Sequence, residues 1–158
     1  MKRRLLFLFA VFMVGASVGW GQMIPTYYKV AVGTGGDGSS AGSPIYKANL
    51  EAALSDAALS SLDSVIILLP EGEYSANAAP YSITKSSLAI IGEGDTSTVT
   101  IKSPVDIGLT NGGNVSFQKV HLTAKTSTGR GVVDIKSSKT TVSFSESKIT
   151  IEGRGTGD

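Results

Sequence analysis

The chain contains no cysteine. That excludes disulfide staples and the lipid-modified cysteine of a bacterial lipoprotein, so stability has to come from packing. An excess of one charge is missing too: 14 Lys and Arg against 13 Asp and Glu leave +1 over 158 residues. No basic footprint for nucleic acid follows from such a balance, and no nucleic-acid partner is expected. No Gly-Lys-Ser or Gly-Lys-Thr occurs, which excludes a P-loop. Long apolar runs are scarce as well. The longest, Leu5 to Val18, falls short of the ~20 residues a membrane-spanning helix needs.

What the chain does have is a repeat. SLAIIGE at 87–93, NVSFQKV at 114–120 and TVSFSES at 141–147 recur at one fixed step. Leu88, Val115 and Val142 share one column and Ile90, Phe117 and Phe144 another, while Ala89, Ser116 and Ser143 lie between them on the opposite face. That is strand alternation repeated at the spacing of a coil. At the same step Leu122 returns as Ile149, Thr123 as Thr150 and Ala124 as Ile151. Val105-Asp106-Ile107 returns as Val133-Asp134-Ile135, a step longer by a single position, which a slip in a connecting turn explains. A strand triplet of this kind cannot cover its own apolar face and needs a copy stacked upon it. The expected inward residues are Ile83, Leu88, Ile90, Val99, Ile101, Val105, Ile107, Val115, Phe117, Leu122, Val133, Ile135, Val142, Phe144, Ile149 and Ile151.

Three segments follow from the order of features. Residues 1–21 read as a secretory signal: Lys2, Arg3 and Arg4 precede the apolar run, and small residues around Gly19 and Gly21 suit cleavage. The expected location is secreted, extracellular or cell-surface, with periplasm or outer membrane as variants and no stable anchor after cleavage. Residues 22–80 read as a cap: a strand from Tyr28 to Val32, a Gly-rich loop, a helix from Asn49 to Leu59, and the buried strand SVIILLP at 64–70 before a turn at Glu71-Gly72-Glu73. The helix carries an apolar stripe of Leu50, Ala53, Leu54, Ala57 and Ala58, with Asn49 as N-cap. Residues 81–158 read as about three coils. A further triplet due at position 159 would begin just past Asp158, so the chain is expected to be the amino-terminal part of a longer protein that, expressed alone, aggregates, stacks end to end or remains partly unfolded.

The succession YKVAV, the helix with LEAAL, DSVIILLPEGEYS, and SLAIIGEG followed by TVTI resembles the amino-terminal portion of pectin lyase-like proteins, over about residues 28–152. The resemblance implies an all-β fold, a right-handed parallel β-helix closed at one end by a capping α-helix. It specifies no activity, because such proteins include polysaccharide lyases and glycoside hydrolases alongside adhesins without known catalysis.

Candidate sites are sparse. Asp106 and Asp134 hold the outward middle position of equivalent triplets, about one strand spacing apart, and are the one place where Ca²⁺ or a perturbed acid would sit. The plainer reading, two solvated carboxylates, is favoured because only two align and Ser82 occupies that position in the preceding coil. His121 is expected to face outward beside Lys148, and Lys119 to pair with Glu146 across coils. Arg130 and Arg154 lie in Gly-rich loops with nothing to orient them. Gly33-Thr34-Gly35-Gly36-Asp37-Gly38 matches a dinucleotide fingerprint, but Ser39 to Pro44 continues as loop where that site requires a helix. Tyr81 is the one aromatic expected on the outside of the coils, which counts against a saccharide cleft. No catalytic residue is assigned. The expected role is structural, adhesive or carbohydrate-interacting, with a polysaccharide or a host or cell-surface component as partner; the alternative is the leading part of a polysaccharide lyase or glycoside hydrolase.

Overall fold

The computed structural model describes residues 25–59, 64–77, 80–125 and 131–152. The secretory signal read in residues 1–21 lies outside the described residues, as does the helix stop at 60–63. Strand β1 (Thr26–Val30) and strand β2 (Ile45–Lys47) flank the Gly-rich loop and precede helix α1 (Leu50–Leu59). There follow β3 (Val65–Leu69), β4 (Gly72–Tyr74) and β5 (Tyr81–Ile83), then β6 (Ser87–Gly92), β7 (Val99–Ile101) and β8 (Val105–Ile107). After these come β9 (Gly113–Gln118), β10 (His121–Lys125), β11 (Val133–Ile135), β12 (Thr140–Ser145) and β13 (Lys148–Glu152).

The fold is mostly β, and its strands form sheets ordered β12-β9-β6-β3-β1-β2, β13-β10-β7-β4 and β11-β8-β5. From β3 onward the chain visits the three sheets in rotation, and every pairing is parallel. The register matches the columns read from the repeat: Leu88, Val115 and Val142 align, as do Ile90, Phe117 and Phe144. In the second sheet Leu122 aligns with Ile149 and Ala124 with Ile151. The third sheet sets Tyr81, Val105 and Val133 side by side.

One core runs through all three sheets. Val65, Ile67, Leu69, Ile83, Ile101, Ile107, Phe117 and Leu122 are at most 1% exposed, each burial worth about 1.5–3 kcal/mol relative to an exposed side chain. At one end of this core α1 lays down Leu50, Ala53, Leu54 and Ala57 and touches β1, β2 and β5. Asn49 Oδ1 accepts the Ala52 N–H at 2.8 Å, the N-cap bond that starts the helix. Ala58 is exposed and does not join the stripe.

Hydroxyls tie successive strand layers together at the corners. The backbone N–H groups of Ala76, Leu109 and Val120 donate to the Oγ of Ser103, Ser137 and Ser147 at 2.8, 3.0 and 3.2 Å, partners 27, 28 and 27 residues further on. Loop amides that no strand neighbour reaches are satisfied in this way, at a spacing set by the repeat.

Several expectations need correction. The first strand is Thr26–Val30, not Tyr28 to Val32: Tyr28 and Val30 supply its inward side chains, whereas Val32 is fully exposed. Glu71-Gly72-Glu73 is not simply a turn, because Gly72, Glu73 and Tyr74 pair with Val99, Thr100 and Ile101. Stacking therefore begins before Tyr81, with β3 beside β6 and β4 beside β7. Ile135, Phe144, Ile149 and Ile151 keep their inward columns yet are 51, 41, 48 and 64% exposed. Their strands β11, β12 and β13 are the outermost of the three sheets, and among the described residues no further layer covers them.

Candidate functional site

The Asp106–Asp134 pair is built by β8 and β11, whose register sets Asp134 against Asp106 and, on the other side, Asp106 against Ser82. Both aspartates take the middle of a Val-Asp-Ile triplet, so the flanking Val105 and Ile107 anchor Asp106 from the core side. Their surroundings differ. Asp106 is 8% exposed, and its Oδ2 accepts an ion-paired hydrogen bond from the Lys136 ammonium. Lys136 reaches it diagonally from the end of β11. Asp134 instead accepts the Gly131 N–H at 3.1 Å through its Oδ1, closing the turn that enters β11.

This arrangement supplies a cation of its own. A Ca²⁺ ion takes about six to eight oxygen ligands, and a lysine ammonium already sits on the inner carboxylate. Among the described residues no group of three or more His, Cys, Asp or Glu is placed to hold a metal. In this geometry the inner carboxylate is engaged by the Lys136 ammonium, and no chemical step is routed through a calcium ion.

His121 stands in register with Lys148, as the repeat implied. Its Nε2 lies 2.9 Å from Thr150 Oγ1, and the neighbouring Thr123 Oγ1 donates to Glu152 Oε1 at 3.0 Å. Burial, followed by the Lys148 charge, lowers the imidazole pKa from its ordinary value, while Glu152 pulls the other way. The site is a hydrogen-bonded corner between two strands. Lys119 and Glu146 do not form the expected ion pair. Both occupy left-handed backbone corners, with φ 53° and 50°, and ion pairs run elsewhere, from Lys136 to Asp106, Lys29 to Glu93 at 2.8 Å, Lys102 to Glu73 at 2.6 Å, and Lys47 to Asp56.

Tyr81 does not project from the coils. It is 3% exposed, and burial together with the Glu51 charge pushes its phenol up to about 12. In the Gly-rich loop Gly35, Gly36 and Gly38 have φ of 84°, 100° and 76°, conformations that favour glycine. Asp37 accepts the Ser39 N–H at 3.0 Å and the loop continues without a helix until Leu50, so no phosphate cradle forms. Hydrogen bonds from Ser39 and Ser43 hold the Asp37 carboxyl down to about 2. Arg130 and Arg154 lie outside the described residues.

The Lys136 contact escaped the sequence reading. Its only signal was position: Lys136 follows Asp134 at the next-but-one place, hence on the same strand face, one step from Asp106. Comparisons with family models, with curated proteins and with solved structures found no match.

Proposed function

We propose that the three sheets are the faces of a right-handed parallel β-helix of the pectin lyase-like kind, capped by α1, in a secreted or cell-surface protein whose role is structural or adhesive. The observation that carries this reading is the rotation of the chain through three parallel sheets with like residues in register. Such a rod needs only a continuous core and tolerant outer faces. Its outer columns carry Ser116 and Ser143 in register, hydroxyls suited to hydrogen bonding along a polysaccharide or a cell-surface component. The one aligned carboxylate pair is engaged by Lys136 and by a turn amide, which leaves no oriented acid or base there.

Two measurements test it. The full chain incubated with polygalacturonate, with and without Ca²⁺, is expected to release no unsaturated product and no reducing ends. Turnover abolished by Asp106→Ala or Asp134→Ala would replace the structural reading with a lyase or hydrolase. Retention of the chain on immobilised acidic and neutral polysaccharides, compared with an uncharged polymer, then asks whether the outer columns bind glycan.

A further inference from the structure

The corner that leads from β8 into β9 carries the dipeptide Asn111-Gly112. Leu109 to Gly112 form a turn in which the Gly112 N–H reaches back to the Leu109 carbonyl at 3.3 Å, a long contact, and Asn111 is exposed. The stack itself demands the glycine. Gly112 has φ 75°, and a Cβ built on it would lie 2.5 Å from the Lys139 carbonyl oxygen of the next layer, so no side chain fits without moving backbone. An exposed asparagine is thereby fixed in front of a residue that cannot shield its own amide nitrogen.

The other asparagines of the chain are Asn49, Asn77 and Asn114, and each is protected. Asn49 spends its Oδ1 on the Ala52 N–H and precedes buried Leu50. Asn77 donates its side-chain amide to Glu51 at 2.9 Å. Asn114 precedes Val115, a β-branched residue 1% exposed within β9, whose side chain crowds the nitrogen that follows Asn114. From this contrast we propose that Asn111 is a site of spontaneous deamidation, a covalent change the chain makes to itself. The Gly112 amide nitrogen gives its proton to water or hydroxide and bonds to the side-chain carbonyl carbon of Asn111. The bond from that carbon to the side-chain nitrogen breaks, ammonia leaves, and a cyclic succinimide remains. Water then opens the ring at either carbonyl, giving aspartate or isoaspartate. Isoaspartate routes the main chain through the Asn111 Cβ and adds a main-chain atom just ahead of β9. There the Gly113 N–H donates to Lys139 O at 3.2 Å and the Asn114 N–H to Ser86 O at 2.8 Å, bonds that seat β9 between its neighbouring layers and that the added atom displaces. This chemistry is independent of any glycan.

Ageing the full chain in mildly alkaline buffer tests this directly. Intact mass is expected to rise by the small increment of an amide-to-acid exchange, with peptide mapping placing the change at Asn111 and an isoaspartate-specific methyltransferase labelling that peptide. Conversion should accelerate from neutral to alkaline pH, because the Gly112 amide proton has to leave. Asn111→Gln, whose longer side chain closes a ring far more slowly, is expected to keep its amide. A synthetic peptide of residues 109–114, aged alongside, gives the rate without the fold. Survival of the Asn111 amide in the full chain while the peptide converts, or equal conversion at Asn49, Asn77 or Asn114, would overturn the proposal. The aged chain is also expected to unfold at lower urea than fresh Asn111→Asp, which carries the new charge without the added atom. Equal midpoints would overturn the displacement of β9.

Discussion

Phe117 is fully buried and stacks on Phe144 with ring centroids 5.3 Å apart and planes 10° from parallel. The two rings share a column, but among the described residues only Phe117 has a layer on both sides. Phe117→Ala is expected to cost about 3–5 kcal/mol by leaving a cavity in the middle of the stack. Phe144→Ala, at a ring already 41% exposed, should cost clearly less. Urea unfolding of both variants checks the ordering. At the corners, Lys139 holds φ 62° and Gly112, its counterpart one layer earlier, φ 75°. A left-handed conformation costs a side-chain-bearing residue roughly 1–2 kcal/mol, partly offset in glycine by its greater unfolded-state freedom. Lys139→Gly is therefore expected to raise stability by about 0.5–1 kcal/mol in the same assay. His121 gives a pH dependence with a definite sign. Its pKa in the fold lies below the ordinary 6.5, so the unfolded chain binds more protons. The contribution is complete above 6.5 and is lost as pH falls through the folded value. Stability should drop on acidification below that ordinary value, and His121→Gln should flatten that part of the profile.

Helix α1 depends on contacts at its first turn. Asn49 caps it at 2.8 Å, and Glu51 accepts the Asn77 backbone N–H at 2.7 Å and its side-chain amide at 2.9 Å, fastening the helix to the segment after β4. Asn49→Ala is expected to cost about 1 kcal/mol, read as a lower urea midpoint with an unchanged slope. The helix was legible because capping and apolar spacing are local signals. Strands β6, β9 and β12 were legible because a fixed period multiplies a weak alternation three times. Strand β3 is also in register with β6, but the step from Val65 to Leu88 is shorter than the step from Leu88 to Val115, so a search at the fixed period passes over it. Strand β4 was hidden by Pro70-Glu71-Gly72, turn-forming residues that here lead straight into pairing with β7. In the candidate site, the alignment of Asp106 with Asp134 was legible from the repeated Val-Asp-Ile. The burial of Asp106 under Lys136 was not, because a flexible four-carbon side chain leaves no periodic trace.

At the scale of the molecule, no strand beyond β2 pairs with its neighbour in sequence. Each such sheet contact closes a long loop, and topologies of this kind fold slowly because loop entropy is lost before the contacts form. Stopped-flow refolding is expected to proceed over milliseconds to seconds or slower, well behind a helical domain of similar length. The same layering has a genetic consequence. Residues 113–139 hold one strand for each sheet, β9, β10 and β11, and their first and last residues enter and leave at equivalent corners. An in-frame duplication of that stretch would add one strand to every sheet and lengthen the stack by about 4.8 Å, leaving existing layers undisturbed. Length, for this protein, is a variable that recombination can change in whole steps.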